Sequence, residues 1–364
     1  MWSPVVVCKR TLMVGEETMD AAELIGYLSP TKPRRLRVIE NILIGKRTVS
    51  TLYWGMRYHQ LAWLGYDKQL TRQTMDGHVE RLVHDGLLSV TDTNAVLTKK
   101  GAERQQVLRQ TRYQPKALPV RLTVDLDTFW QRFLLATQVV SEQSYQTRKY
   151  YPLQVAWPVK QMIKKWYQQF YSADLSAEFN AVLTRFLKQL AVREATFFSR
   201  LLVGHDRPGE TLLQLAQQNG LSSSEAHLML TDLACQFVHF LRAQSDSSVK
   251  ALLAGLSRQP ISESALNTLN RFQAGQALEE IGHQRRLKVS TVKEHLLEAA
   301  IMLPVDQFPY EKLLTPQLQN ELSDQFATQN LDDWQFNQLS NTQVAFWQFR
   351  LFEILRSKQT DDQQ

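Results

Sequence analysis

A chain of 364 residues has room for two or three domains, each with its own core. Hydrophobic residues at 43% and charged residues at 21% exclude a disordered chain, and 14 Gly with 12 Pro exclude collagen-like and low-complexity folds. The net charge of +6 is unevenly spread: residues 31–112 hold 15 Lys or Arg against 7 Asp or Glu, so the remainder is slightly acidic. Such a concentration is the footprint expected of a phosphate-binding module.

In chain order, residues 1–30 form a lead-in. MWSPVVVCKR has a short apolar run with no basic region before it, which does not read as a secretory signal, and no apolar stretch is long enough to span a bilayer. Two cysteines, Cys8 and Cys235, make neither a disulfide framework nor a four-thiolate zinc site, and fit a reducing compartment. The expectation is a cytoplasmic protein, with no membrane partner.

Residues 31–112 read as a winged helix. TKPRRLRVIENIL places Leu36, Ile39 and Leu43 at helical spacing after Pro33, and the aromatic-rich Thr51–Leu64 segment reads as a second helix. The third helix, LTRQTMDGHVERLVHDGLL, has Thr71 as its cap and Gly86 past its end. Its inward stripe is Met75, Val79, Leu82 and Val83. LLSV, the turn TDTNA and AVLTKKG then form a hairpin, and LVHDGLL followed by LTKKG resembles many winged-helix DNA-binding proteins. In that geometry Arg72, Gln73, Thr74, His78 and Arg81 face the groove, while Lys99 and Lys100 on the wing meet phosphate.

YQPKALPVRL marks a domain edge, and residues 113–255 read as a helical middle. KQMIKKWY within it reads as a solvated basic helix face, with phosphate binding as the alternative. A self-comparison at an offset of 66 residues sets Leu212, Leu215, Ala216, Gly220, Leu221, Ser224 and Leu230 against Leu278, Ile281, Gly282, Arg286, Leu287, Ser290 and Leu296. Both segments keep helix-turn-helix spacing. The first presenting helix, SSSEAHLMLTD, has no Lys or Arg and reads as structural.

The second copy falls in residues 256–325. Its string G-x-x-L-E-E-I-G-x-x-R-x-L-K-x-S-T-V-x-x-H-L combines Gly275, Ile281, Arg285, Leu287, Ser290, Thr291, His295 and Leu296. It resembles the helicase-associated helix-turn-helix domain of some RecQ-type helicases and of YpbB-like proteins. Members of that family carry Gly where Arg286 stands, so this turn is made without the residue that most easily adopts positive φ. The resemblance implies a DNA-binding or helicase-linked role, with a RecQ-type helicase as partner in repair or recombination. From the residues, the presenting helix offers Lys288, Ser290, Thr291, Lys293 and His295, with Glu294 and Glu298 cancelling its charge. That balance favours docking onto a partner over a groove. The tail, residues 326–364, ends in a helix striped by Val344, Trp347, Leu351 and Leu355 and in the polar SKQTDDQQ.

No P-loop, zincin motif or nucleophile elbow is present, Cys235 with His239 is only half a metal site, and no cofactor is implied. The sequence therefore reads as a mainly α, noncatalytic DNA-binding accessory protein. The alternatives are a sequence-specific transcription regulator and an interaction scaffold that binds no DNA.

Overall fold

The computed structural model describes residues 19–339 and 343–361; Cys8, the opening MWSPVVVCKR and the last three residues of the tail lie outside them. The fold is mainly helical with one small sheet. Among the described residues no helix is long and apolar enough to cross a membrane.

Backbone contacts divide the chain into two compact units, one holding the residues before 35 with 69–258 and the other holding 35–68 with 259 onward. The first begins with α1 (Ala21–Gly26), and its opening segment ends at Arg34, within the two-residue strand β1 (Arg34–Arg35). The chain then leaves for α2 (Leu36–Ile44) and α3 (Val49–Arg57), which belong to the second unit. It returns with α4 (Arg72–His84), the hairpin β2 (Leu88–Thr91) and β3 (Asn94–Leu97), and α5 (Lys99–Thr111). The sheet order is β1-β3-β2. Every element expected over 31–112 therefore forms, but the segment does not close on itself as one domain. Packing decides this: α1 lies against α4 and α5, whereas α2 packs its buried Val38, Ile39, Ile42 and Leu43 against α3. The second helix is also shorter than the Thr51–Leu64 expected, since it stops at Arg57 and His59 takes φ 55° before a single 3-10 turn at Leu61–Trp63.

The rest of the first unit is α6 (Leu126–Ser144), α7 (Trp157–Phe170), α8 (Leu175–Leu187), α9 (Val192–Arg200), α10 (Leu212–Asn219), α11 (Ser223–Ala243) and α12 (Ser248–Ala251). Its core is aromatic. Phe129, Phe133, Phe186, Phe198 and Phe237 are fully buried, with neighbouring ring centroids 4.7–6.2 Å apart, the offset and tilted contacts that rings prefer. Cys235 is buried on α11, and burial together with the nearby Asp232 pushes its thiol up to about 12. It is a neutral core side chain.

The second unit adds α13 (Glu263–Gln273), α14 (Leu278–Arg285), α15 (Val289–Met302), α16 (Pro316–Gln325) and α17 (Phe346–Asp361). Helix α15 is its centre, packed by α13 and α14 and also by α3 and α17.

Candidate nucleic-acid interface

Helices α13, α14 and α15 form a three-helix unit whose last two members make the helix-turn-helix. The turn is made by Arg286 in the left-handed region, at φ 54° and ψ 41°, a conformation that costs a side-chain-bearing residue about 1–2 kcal/mol. Leu287 N–H closes it on Gly282 O at 2.8 Å. The first copy has the same construction: Gly220 stands at φ 63° and Leu221 N–H donates to Ala216 O at 2.9 Å, both 66 residues earlier. The repeat is thus a repeat of backbone geometry.

On α15 the first turn is open. Arg286, Lys288 and Ser290 are exposed, Thr291 is half-buried, and no side chain caps the helix at Lys288. A helix amino terminus carries partial positive charge and unpaired N–H groups, so two cations there extend an anion-attracting surface. Beyond Glu294 the helix is closed: Leu296, Leu297, Glu298, Ala299, Ala300 and Ile301 are all buried.

Several expected roles change here. Glu298 does not cancel the charge of an exposed face; it is buried, accepts from Arg47 Nε at 2.9 Å, and accepts from the Ser262 N–H at 2.7 Å and its hydroxyl at 3.0 Å. Lys293 is half-buried with its ammonium 5.2 Å from the Trp347 ring centroid. His295 is half-buried, its Nδ1 2.9 Å from the Thr268 hydroxyl. Desolvation lowers its pKa, with a contribution from Arg285. Arg285 donates to Ser264 O at 2.9 Å, to the Ser264 hydroxyl at 2.9 Å and to Thr268, tying α14 to α13. Arg285, Lys293 and His295 therefore hold the motif together, while Lys288, Ser290 and the unforeseen Arg286 are what it presents. The exposed acid of α15 is Glu294, a turn further along the helix.

In the first unit, α4 presents Arg72, Gln73 and Arg81, while Thr74 is engaged by the Thr71 cap and His78 is half-buried. Arg72 pairs with Asp76 at 3.0 Å, and the exposed Glu80 balances Arg81, so this face is neutral. Met75 and Leu82 point inward as expected, but Val83 is 44% exposed. Nothing in the structure explains Gly77, which has open space around it. The hairpin tip carries Asp92 at φ 54° and no cation. Lys99 and Lys100 lie instead in the first turn of α5. Thr98 caps that helix through the Gly101 N–H at 3.1 Å, and a Cβ at Gly101 would stand 2.0 Å from Leu87 O. This close approach fixes the helix start against the hairpin, and Lys100 Nζ donates to Asp85 O at 2.8 Å. Arg104 and Arg109, exposed on α5, extend its basic face; counting charge per helix face would have found them. Elsewhere in 31–112 several cations are already engaged, Arg37 with Glu40, Arg47 with Glu298, Arg57 with Asp332 and Arg35 over the Trp54 ring, while Lys46 and Lys68 are exposed on the second unit. The surplus of positive charge is thus no single patch.

Residues 264–352 match the family described as a helix-turn-helix domain. The chain is also similar to Protein YpbB of Bacillus subtilis (strain 168), 22% identical over 265 residues that cover 71% of this chain and 75% of that protein. No solved structure matches it.

Proposed function

We propose that the protein is a noncatalytic, cytoplasmic DNA-binding accessory factor that works with a RecQ-type helicase in repair or recombination, with its C-terminal helix-turn-helix as a duplex contact. The observation that carries this reading is the open first turn of α15, where Arg286 and Lys288 are exposed while Glu298 is withdrawn into the core. Phosphate neutralisation by such cations supplies sequence-independent affinity. The second half of α15 is buried on all sides, so few side chains remain to read base edges. That favours an accessory factor over a sequence-specific regulator. The helicase rests on the resemblance of residues 264–325 alone, and the chain holds no P-loop of its own.

The test is duplex binding by the full chain across a salt series. Arg286→Ala with Lys288→Ala should weaken binding to all sequences alike and make the log–log salt slope shallower by about 2. Unchanged binding at every salt concentration would remove α15 from the DNA. Recovery of a RecQ-type helicase on the tagged protein from nuclease-treated extract tests the partner; its loss on nuclease treatment would reduce the association to shared DNA.

A further inference from the structure

We propose that the first unit carries a second nucleic-acid surface, separate from the helix-turn-helix, on which single-stranded nucleic acid stacks: the segment from Tyr145 to Tyr171, built on α6 and α7. It does not depend on the duplex contact proposed above.

The composition of this stretch sets it apart. Between Glu142 and Asp174 the sequence has no Asp or Glu, and it holds Arg148, Lys149, Lys160, Lys164 and Lys165 among eight aromatic residues. The structure leaves much of that aromatic area in solvent: Tyr151 is 87% exposed, Trp157 71%, Tyr171 66% and Tyr145 65%. Six aromatic side chains appear among the exposed large hydrophobics of the described residues, and four of them fall here. A solvated basic helix face would need the lysines alone.

The framework is rigid enough to present them. Leaving α6, the chain turns back along it in extended form, and Gln138 clamps it from both sides, donating to Tyr151 O at 3.0 Å and accepting from Leu153 N–H at 2.8 Å. Ala156 N–H donates to Gln131 at 3.3 Å, and Gln143 reaches Ser172 O at 2.9 Å, so α7 runs in the same direction as α6. Val159, Ile163 and Trp166 bury the inner face of α7. Its outer face carries Trp157, Gln161 and Lys164, then Gln168 and Tyr171, at helical intervals. This stripe spans about 20 Å. At its carboxyl end Tyr145 stacks on His205 at 4.5 Å, and Tyr171 sits edge-on to Tyr167 at 5.4 Å. Arg148, Lys149, Lys164 and Lys165 form no ion pair among the described residues. The flanking Glu142 is buried against His205 at 2.8 Å.

Exposed rings among unpaired cations suit unstacked bases joined by phosphates, because each ring offers a stacking face and each cation a phosphate contact. A duplex hides its base faces and would leave the rings unused. A purely apolar partner would leave the cations unpaired.

The experiment uses the full chain and fluorescein-labelled oligo(dT) of about 30 nucleotides, with duplex DNA and phosphatidylserine vesicles as further arms. Tyr151→Ala with Trp157→Ala should weaken oligo(dT) binding by about tenfold for each ring removed and leave duplex binding unchanged. Lys164→Ala with Lys165→Ala should make the single-strand salt slope shallower by about 1. Arg286→Ala with Lys288→Ala should keep oligo(dT) binding, and a chain that binds oligo(dT) but no duplex would retain this proposal while removing the duplex reading. Oligo(dT) affinity unchanged in the aromatic variant overturns the proposal. So does an equal loss of duplex and single strand, which would mean one shared phosphate surface. Loss of vesicle binding with oligo(dT) binding intact would make the face a membrane surface. All four positions are exposed, and an unchanged melting temperature checks that the variants fold.

Discussion

In α10–α11 the bend is made by Gly220, in α14–α15 by Arg286, and both bends close with the same hydrogen bond 66 residues apart. The correspondence continues past the turn. Asp232 on α11 and Glu298 on α15 occupy equivalent positions, both buried, and each grips backbone from an earlier part of its own unit. Asp232 accepts from the N–H groups of Lys116 at 2.9 Å and Ala117 at 2.7 Å and from the Tyr113 hydroxyl at 2.7 Å. Glu298 accepts from Ser262 and Arg47. The two copies part at their amino-terminal turns. On α11 that turn is occupied: Glu225 is buried and accepts from Tyr113 N–H at 2.9 Å. On α15 it stays open, with Lys288 and Ser290 exposed. The motif supplies the bend; the neighbours of the second helix decide whether it becomes a strut or a surface.

The largest expected effect tests the shared carboxylate. Asp232→Ala deprives two backbone N–H groups and a half-buried hydroxyl of their acceptor, and should cost about 2–4 kcal/mol in urea unfolding. Glu298→Ala should cost somewhat less, because one backbone N–H, that of Ser262, depends on Glu298 where two depend on the more deeply buried Asp232. Hydrogen exchange should locate the damage at 113–118 for the first and at 260–265 for the second. If either variant leaves its own segment protected, the two carboxylates are not equivalent.

A smaller pair of substitutions trades the turn residues. Arg286→Gly relieves a left-handed side-chain-bearing residue and should stabilise by about 1 kcal/mol. Gly220→Ala should destabilise by a similar amount, and through the backbone alone, because an added Cβ there meets nothing within 4 Å. Equal and opposite shifts in the urea midpoint would sharpen the match between the copies. The same sign for both would break it.

Much of this was legible in the sequence. The offset of 66 residues located both turns, Thr71 caps α4 as its position suggested, and the hairpin at 88–97 formed where turn residues separated two apolar runs. Local chemistry fixes such features, and local chemistry is what a sequence displays. The division into units was not legible, because which apolar face α2 meets is a matter of packing between distant segments. Charge roles failed for a related reason: Arg285, Lys293 and Glu298 each read as a surface charge in the string but end as a strut between helices, a cation over Trp347 and a buried acceptor. The aromatic surface at 145–171 was visible only in part, since periodicity shows that Trp157 and Lys164 share a face without showing that this face stays in solvent.

The smallest expected effect is one of slope with pH, and it concerns one position at which the two second helices differ in chemistry. Position 229 in the first copy is a buried Met; its counterpart is His295. Desolvation, then the positive charge of Arg285, lowers the pKa of His295 below its ordinary 6.5, with Glu298 and Glu294 opposing in part. The unfolded chain then takes up the proton at higher pH than the folded one, so the stability this histidine gives is complete above about 6.5 and declines as pH falls through the folded value. Acidification should therefore loosen the packing of α15 on α13 while leaving that of α11 on α9 unaffected by this group. His295→Met, which copies the first repeat, should flatten the decline in exchange protection of α15 between neutral and mildly acidic pH. An equally steep decline in the variant would transfer the pH sensitivity to another group and leave the two second helices alike in this respect.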